Sequence, residues 1–557
     1  MSILLPHIPA IGWPTRRTGA RWLFCASVVA VLVALPFGGL LVQAIQGSPG
    51  LWVHLISSIL PVALADTLVL LCGVGIVTTA IGTAMAWLVT AHAFPGRRIV
   101  EWALLLPLAV PTYIIAYAYL DILHPIGPVQ GAVRWILGYS SPRQFRLPDV
   151  RSMTGCILLL GFVLYPYVYI PVRAMFLTQS ANLVDAARML GVPRRAIFWN
   201  VALPLARPAV AVGVSLALME TLNDVGAAEF LGVRTLTVSI YTTWITRSDL
   251  PGAAQIALSL LLIVVVLVAL ERWARRRQRY SGDARRHREL EPRPVRGLRG
   301  AALLILCLIP ILIGFAAPAF YLIVEASKRV RYAGLSPRLV DEAVSTISLA
   351  TIATAVTVLF GVVIAYTNRL RPGAVSSWSY RLATMGYAAP GTVVAIGVLI
   401  VLATADRLVD QTAIDWFGIS TGLLFIGSGA ALIYAYATRF LAISAGSIDA
   451  GLARIPVSLD QASRSLGQSP TGTLRHVHLP LSKAAITAAG LLVFVDCVKE
   501  LPATLLLRPL NIETFATHLY GEAARGTYEE ASIAALAILL IGMVPVILLS
   551  RIGRSGH

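Results

Sequence analysis

The chain has 557 residues, of which 57% are hydrophobic and 13% are charged, and its mean hydropathy is +0.77. Soluble domains carry about 25% charged residues, so this composition excludes a water-soluble protein of this size. A formal charge of +18 would suggest nucleic-acid binding in a soluble chain. In a membrane protein the placement of the basic residues decides what that charge means.

Apolar stretches that are long enough to cross a bilayer recur along the whole chain. A membrane helix needs about 20 apolar residues. Twelve stretches meet that requirement: 22–45, 62–90, 101–121, 152–177, 208–231, 252–270, 301–324, 344–367, 382–404, 419–443, 484–507 and 530–550. The sequence therefore predicts an all-α membrane protein with twelve transmembrane helices. The first stretch is longer than the apolar part of a signal peptide, so we expect no cleavage there.

Arginines cluster before the first stretch, after the sixth and after the last. The densest run lies between residues 272 and 299. With an even number of spans, all three clusters lie on one side of the membrane, and the positive-inside rule makes that side the cytoplasm. We therefore expect both termini in the cytoplasm. The +18 charge is then mainly a signal of orientation, and we expect contact with the lipid bilayer and none with nucleic acid.

The two halves of the chain repeat each other. Asp-Ala-Ala-Arg-Met-Leu-Gly at 185–191 returns as Gln-Ala-Ser-Arg-Ser-Leu-Gly at 461–467, an offset of 276. The same offset relates Val-Ala-Leu-Pro-Leu at 201–205 to Val-His-Leu-Pro-Leu at 477–481. An offset of 279 relates three earlier pairs: Thr67 and Thr346, Gly82 and Gly361, and Pro111 and Pro390.

This repetition predicts the domain organisation. Each half begins and ends in the cytoplasm, so the repeats are parallel and related by an axis along the membrane normal. We predict a first six-helix repeat at 1–271, a cytoplasmic arginine-rich linker at 272–299 and a second six-helix repeat at 300–557.

The repeated segment follows the fourth and the tenth span, on the cytoplasmic side. Its pattern predicts a short helix, a turn at glycine and a Leu-Pro start of the next span. A short helix held between two spans suits the transmission of force from a soluble partner. The positions that carry the pattern are Asp185, Ala186, Ala187, Gly191, Leu203 and Pro204 in the first copy, and Gln461, Ala462, Ser463, Gly467, Leu479 and Pro480 in the second.

This pattern resembles the EAA loop of permease subunits in binding-protein-dependent ABC importers: Glu-Ala-Ala, three residues, Gly, nine residues, Ile, one residue and Leu-Pro. Both copies depart at the first acidic position, and Ser463 replaces an alanine. Ferric-iron permeases have a similar fused arrangement. They are also similar to this chain in two stretches, 219–232 and 495–509. The resemblance implies the type I ABC importer permease fold.

The resemblance also implies a function and partners. It implies a permease of the bacterial inner membrane that moves ferric iron from the periplasm to the cytoplasm. A homodimeric ATPase would bind the two loops, and a periplasmic iron-binding protein would deliver the substrate. The chain has no Walker GxxxxGK[ST] motif, so we expect ATP and Mg²⁺ on the partner ATPase, no cofactor on this chain and no enzymatic activity of its own.

Four acidic residues within the spans are candidates for contact with the substrate. Ionisable residues inside a membrane are costly and by default suggest function. Glu220 and Asp224 are four residues apart on the fifth span, so they should share one helix face. Asp496 and Glu500 repeat this spacing on the eleventh. Because Fe³⁺ is a hard cation that favours oxygen ligands, we predict that these four acids line the substrate pathway and transiently hold Fe³⁺. The alternative is that they pair with polar neighbours.

Tyrosines of the third and fourth spans are the second candidates, since phenolate oxygens also suit ferric iron. They are Tyr113, Tyr117, Tyr119, Tyr165, Tyr167 and Tyr169. Tyrosine belts at the membrane interface are common, and that interpretation is favoured for this group.

Two other functions remain open. Thiamine permeases are also fused and have similar loops, although a cationic vitamin more often needs aromatic walls. An ion-coupled secondary transporter would also have repeats and intramembrane acids. The paired cytoplasmic loops would have no purpose there.

Overall fold

The computed structural model describes residues 19–47, 53, 55–178, 189, 193–276 and 292–552. This part of the chain is almost entirely helical. The helices of the first half are α1 (Ala20–Gln46), α2 (Leu60–Ala91), α3 (Arg97–Ala103), α4 (Thr112–Ile122), α5 (Pro128–Leu137), α6 (Met153–Leu164), α7 (Pro166–Thr178), α8 (Arg194–Ile197), α9 (Leu203–Asn223), α10 (Gly226–Phe230), α11 (Leu236–Ile245) and α12 (Leu250–Arg276).

The second half of the chain is also helical. Its helices are α13 (Gly297–Ile311), α14 (Ala317–Ala333), α15 (Arg338–Leu370), α16 (Ala374–Ala383), α17 (Gly391–Phe417), α18 (Ala430–Ala453), α19 (Val457–Ser465), α20 (Pro470–Thr473), α21 (Leu479–Lys499), α22 (Pro502–Leu507), α23 (Phe515–Arg525) and α24 (Tyr528–Ile552). Short π-helical turns lie at Leu55–Ile59, Phe198–Ala202, Leu312–Ala316 and Leu474–His478, and 3₁₀ turns at Leu106–Ala109 and Met385–Ala388. Two strands of two residues each, β1 (His92–Ala93) and β2 (Arg293–Pro294), pair in parallel.

Ten helical segments of the described residues are long and apolar enough to cross a membrane, and two bent pairs bring the number to twelve if each pair is one span. The pairs are Arg97–Ala109 with Thr112–Ile122, bent by 93°, and Met153–Leu164 with Pro166–Leu177, bent by 41°. Proline lies at both bends, where its missing N–H interrupts the helical hydrogen bonds. The prediction of an all-α, multi-pass membrane protein is confirmed.

Two predicted spans extend too far towards the C-terminus. The fifth span ends at Asn223 instead of 231, and the eleventh ends at Lys499 instead of 507. Each is followed by a separate short helix, because the chain turns at the next residue. Apolar content alone does not reveal such a turn.

Two later spans begin after their predicted starts. The ninth begins at Gly391 instead of 382, because a 3₁₀ turn and Pro390 separate it from α16. The tenth begins at Ala430 instead of 419. Apolar residues precede it in an irregular segment that contains Gly422 at a φ of +62°, a conformation that glycine adopts at no steric cost.

The chain divides into two compact units, and neither is continuous in sequence. One unit comprises Met1–Gly39, Ser348–Ala389 and Gly397–Cys497, and the other comprises Leu40–Ile347, Pro390–Ile396 and Val498–His557. This division does not follow the repeats, so the predicted repeat boundaries stay a prediction.

Contacts that recur at a constant offset show the internal repeat in three dimensions. The Thr67 hydroxyl oxygen accepts a hydrogen bond from the Leu236 N–H at 2.9 Å, and the Thr346 hydroxyl oxygen accepts one from the Phe515 N–H at 2.9 Å. The offset of 279 relates both the two threonines and the two donors. Each contact fixes the first residue of a helix, α11 or α23, against a span.

Glycines at matched positions let neighbouring helices approach closely. A Cβ atom added to Gly82 would lie 2.7 Å from the Val168 Cβ, and one added to Gly361 would lie 2.9 Å from the Ser444 Cβ. Val168 and Ser444 are themselves related by the offset of 276. Membrane helices pack through small residues in this way, since lipid gives no hydrophobic drive for association.

Candidate substrate pathway and coupling loops

The fifth span ends one residue before Asp224, and the chain turns there into α10. Asp224 has φ −75° and ψ 121°, so it lies outside the helix. Its carboxylate accepts hydrogen bonds from the N–H groups of Ala227 at 2.7 Å and Ala228 at 3.4 Å, and from the Thr112 hydroxyl. Asp224 therefore caps α10, whose first N–H groups have no partners within the helix.

Glu500 has the same role after the eleventh span. Its carboxylate accepts hydrogen bonds from the N–H groups of Ala503 and Thr504, each at 3.1 Å, and from the Thr504 hydroxyl at 2.9 Å. It thereby caps α22. The offset of 276 that relates Asp224 to Glu500 also relates Ala227 to Ala503, so the two repeats share this arrangement.

Both helices end one residue before the second acid of the pair, and the expectation that each pair shares a helix face stays a prediction. Asp224 and Glu500 are 7% and 4% exposed, and N–H and O–H donors occupy their oxygens. Glu220 and Asp496 lie within the spans, in the last two turns of α9 and α21, and are partly exposed. A pathway role for the four acids stays a prediction.

The two helix breaks lie against the third span. The Tyr113 hydroxyl donates a hydrogen bond to the Lys499 carbonyl at 3.3 Å. A Cβ atom added to Gly226 would lie 2.7 Å from the Tyr113 Cβ and 3.0 Å from the Leu501 Cδ2. Gly226, after α9, and Lys499, the last residue of α21, are therefore in contact with the same tyrosine, and a side chain at position 226 would collide with it.

Three of the other candidate tyrosines are buried inside the protein. Tyr165 donates to the Leu104 carbonyl at 2.9 Å, and Tyr169 donates to the Glu101 carbonyl at 3.0 Å. Tyr117 is fully buried and also donates to a backbone carbonyl. Buried phenols need such partners, so these hydroxyls connect helices.

No three His, Cys, Asp or Glu side chains are placed to hold a metal ion among the residues that the structure describes. The transient Fe³⁺ site at Glu220, Asp224, Asp496 and Glu500 therefore stays a prediction.

The second repeated loop has the predicted helix, turn and Leu-Pro start. Gln461, Ala462 and Ser463 lie on α19, Gly467 lies in the turn, and Leu479 and Pro480 begin α21. Gly467 has a φ of +76°, which favours glycine at the end of a helix. The buried Ser463 hydroxyl lies 2.8 Å from the Thr473 hydroxyl, so serine in place of alanine gains a hydrogen bond inside the loop.

The first loop is described only in part. Leu203 and Pro204 begin α9, as predicted. Asp185, Ala186, Ala187 and Gly191 lie outside the described residues.

Similarity to known proteins extends over both halves of the chain. A family model described as "Binding-protein-dependent transport system inner membrane component" matches residues 78–280. The Fe(3+)-transport system permease protein FbpB 2 of Haemophilus influenzae is 23% identical over 501 residues, which cover 88% of this chain and 89% of that protein. Residues 78–280 therefore match the family model of the binding-protein-dependent transport permeases, and the chain as a whole is similar to one such permease.

Two shorter relatives match about a half and about a third of this chain. The putative 2-aminoethylphosphonate transport system permease protein PhnU of Salmonella choleraesuis is 29% identical over 285 residues, which cover 49% of this chain and 97% of that protein. The molybdenum transport system permease protein ModB of Escherichia coli is 26% identical over 201 residues, 35% of this chain and 84% of that protein. These matches support the predictions of a fused, two-repeat ABC importer subunit and of the type I fold.

An ionic network in the second loop of the chain was missed from the sequence. The Arg369 guanidinium, at the end of α15, donates to the Asp460 carboxylate at 2.9 and 3.1 Å and to the Ile455 carbonyl at 2.9 Å. His478 Nε2 is hydrogen-bonded to the other Asp460 oxygen. The network ties α19 to a span and to the start of α21.

The first repeat has other residue types at the matched positions. The offsets place Thr90 where the second repeat has Arg369, Val184 where it has Asp460, and Ala202 where it has His478. The only sequence signal for this network was therefore Asp460, an acid one position before Gln461 that the first repeat lacks. It becomes informative only once Arg369 is known to lie beside it.

Proposed function

We propose that this permease is the membrane component of an importer that moves ferric iron from the periplasm to the cytoplasm. The observation that carries the proposal is the match to FbpB 2, a protein named for Fe(3+) transport, over 88% of the chain. That match spans both repeats, whereas the PhnU and ModB matches cover 49% and 35%.

The proposal includes the energy source and the orientation. A homodimeric ATPase, which holds ATP and Mg²⁺, binds the two EAA loops in the cytoplasm, and a periplasmic iron-binding protein delivers the cation. The arginine-rich segment 272–299 supports the placement of both termini in the cytoplasm of the bacterium. The permease itself carries no cofactor.

Within this proposal, Glu220 and Asp496 are the strongest of the four acids for contact with the cation. Both are partly exposed within the spans, whereas Asp224 and Glu500 are buried. Carboxylate oxygens are suitable hard ligands for a trivalent cation.

The test of this pathway is the double variant Glu220→Ala/Asp496→Ala in proteoliposomes with the ATPase and the binding protein. We expect iron uptake to be abolished while assembly with the ATPase is kept. A matched control replaces two exposed acids, Asp149 and Asp415, and should leave uptake unchanged. Normal uptake by the first double variant would contradict the pathway.

The substrate is tested by stimulation of the ATPase in the same complex. The iron-loaded binding protein should raise the rate of ATP hydrolysis above its basal value. Stimulation only by a binding protein loaded with thiamine, 2-aminoethylphosphonate or molybdate would overturn the assignment of iron.

A further inference from the structure

Two tyrosines at matched positions of the repeats are in contact. Tyr241 lies on α11 and Tyr520 on α23, and the offset of 279 that relates Leu236 to Phe515 also relates these two residues. Their ring centroids are 6.2 Å apart, with an interplanar angle of 81°.

This contact locates the pseudo-twofold axis of the repeat. Two residues that the axis relates can touch only if both lie close to it. In a parallel repeat the axis runs along the membrane normal, and a cation that crosses between the two repeats must pass near it. Tyr241 and Tyr520 therefore lie where a substrate pathway between the repeats would run.

A carboxylate completes this group of oxygen atoms. The Tyr520 hydroxyl donates a hydrogen bond to Glu229 Oε2, and Glu229 lies on α10, the short helix that Asp224 caps. Phe230 stacks on the Tyr520 ring at 5.4 Å and fixes its plane. Tyr520 is 8% exposed, and Glu229 and Tyr241 are partly exposed.

The fold itself does not require this carboxylate. The offset of 276 that relates α10 to α22 places Leu505 where the first repeat has Glu229. Because the second short helix forms with an apolar residue there, Glu229 is not needed for the helix. Burying a carboxylate costs desolvation energy, and only the first repeat has this acid. Its position beside two phenols on the axis therefore indicates a ligand-binding role.

We propose that Glu229, Tyr241 and Tyr520 form a binding site for the transported ferric ion on the pseudo-twofold axis. The site rests on the proposed function, because one carboxylate and two phenolates are the hard oxygen donors that Fe³⁺ prefers. On binding, both phenols lose their protons to water and the three anionic oxygens bond to the metal. The charge of +3 is thereby neutralised, and two protons are released.

The first test is spectroscopic and uses the purified full-length permease with ferric nitrilotriacetate as the probe. Iron bound to phenolate gives a visible charge-transfer band, which carboxylates alone do not give. We expect this band in the wild-type permease, its loss in Tyr241→Phe/Tyr520→Phe, and its retention in Tyr117→Phe, which removes a buried phenol elsewhere. Absence of the band in the wild type, or its persistence in the double variant, would overturn the site.

The second test measures iron uptake by the assembled importer in proteoliposomes. Glu229→Gln and Tyr520→Phe should each lower uptake by about tenfold or more, since loss of even an outer-shell partner weakens metal sites by such factors. Co-purification with the ATPase should match that of the wild type, which shows that the variants fold and assemble. Normal uptake by both variants would contradict this site and leave the proposed function standing, whereas no iron uptake by the wild type would contradict both.

Discussion

Asp224 is the residue at which a structural and a transport role can be separated. Its carboxylate caps α10 through two N–H groups, a contact that an amide oxygen can also make. Asp224→Asn should therefore keep the thermal stability of the permease, while Asp224→Ala should lower it by about 1 kcal/mol, the usual cost of losing a cap. Thermal unfolding of both variants in detergent measures this difference.

Transport by the same two variants decides whether the charge of Asp224 matters. If the residue is only a cap, Asp224→Asn should import iron at the wild-type rate. A stable Asp224→Asn permease that imports no iron would show that the negative charge belongs to the pathway. Glu500→Gln provides the matched variant in the second repeat.

His518 makes the stability of the permease depend on pH. It lies on α23, outside the candidate spans, with Nδ1 3.1 Å from Glu342 Oε1. Glu342, with smaller contributions from Glu522 and Glu513, raises the pKa of His518 above its usual value near 6.5. These residues line a cavity of about 370 Å³.

Because the folded state raises this pKa, the stabilisation is complete below about pH 6.5 and is lost as the pH rises through the pKa of the folded protein. The thermal midpoint of the wild type should exceed that of His518→Gln at low pH, and the two should converge at high pH. A difference that does not change with pH would contradict this role of the ion pair.

At the scale of elements, the second coupling loop is tied to a span by Arg369, whereas the first repeat has Thr90 at that position. Arg369→Ala leaves the Asp460 carboxylate without this partner. Movement of α15 should then no longer be transmitted to α19. We expect basal ATP hydrolysis to persist and stimulation by the loaded binding protein to fall. The paired measurement of the two rates separates lost coupling from lost assembly.

Two variants sharpen this experiment. Arg369→Lys keeps the charge, but an ammonium group cannot bind Asp460 and the carbonyl groups with the planar, bidentate geometry of a guanidinium. Stimulation in this variant should therefore lie between those of Arg369→Ala and the wild type. Thr90→Ala, the matched change in the first repeat, should leave stimulation intact. Full stimulation in Arg369→Ala would show that the ionic network does not transmit motion.

The sequence predicted the elements that depend on composition and on repetition. Apolar length identified the spans, and the repeated Gly and Leu-Pro positions identified the second loop. The turns at Asp224 and Glu500 escaped prediction, because an acid inside an apolar stretch has the same sequence signal whether it faces a pathway or caps a helix. The contact between Tyr241 and Tyr520 was also missed, since only the fold brings α11 and α23 together.

At the scale of the whole molecule, the orientation in the membrane can be tested by labelling. In a variant without the native cysteines, Ser281→Cys in the arginine-rich segment should react with a membrane-impermeant reagent only from the cytoplasmic side. Ser140→Cys, in an exposed segment between the third and fourth spans, should react only from the periplasm. The opposite pattern would reverse the orientation that the arginines indicate.

The central claim is that this fused permease imports ferric iron with energy supplied by a partner ATPase. The most direct measurement is uptake of radiolabelled Fe³⁺ into proteoliposomes that contain the permease, its ATPase and its binding protein. We predict ATP-dependent accumulation of iron that thiamine, molybdate and 2-aminoethylphosphonate do not reduce. ATP-dependent accumulation of one of those three solutes, with none of iron, would contradict the claim.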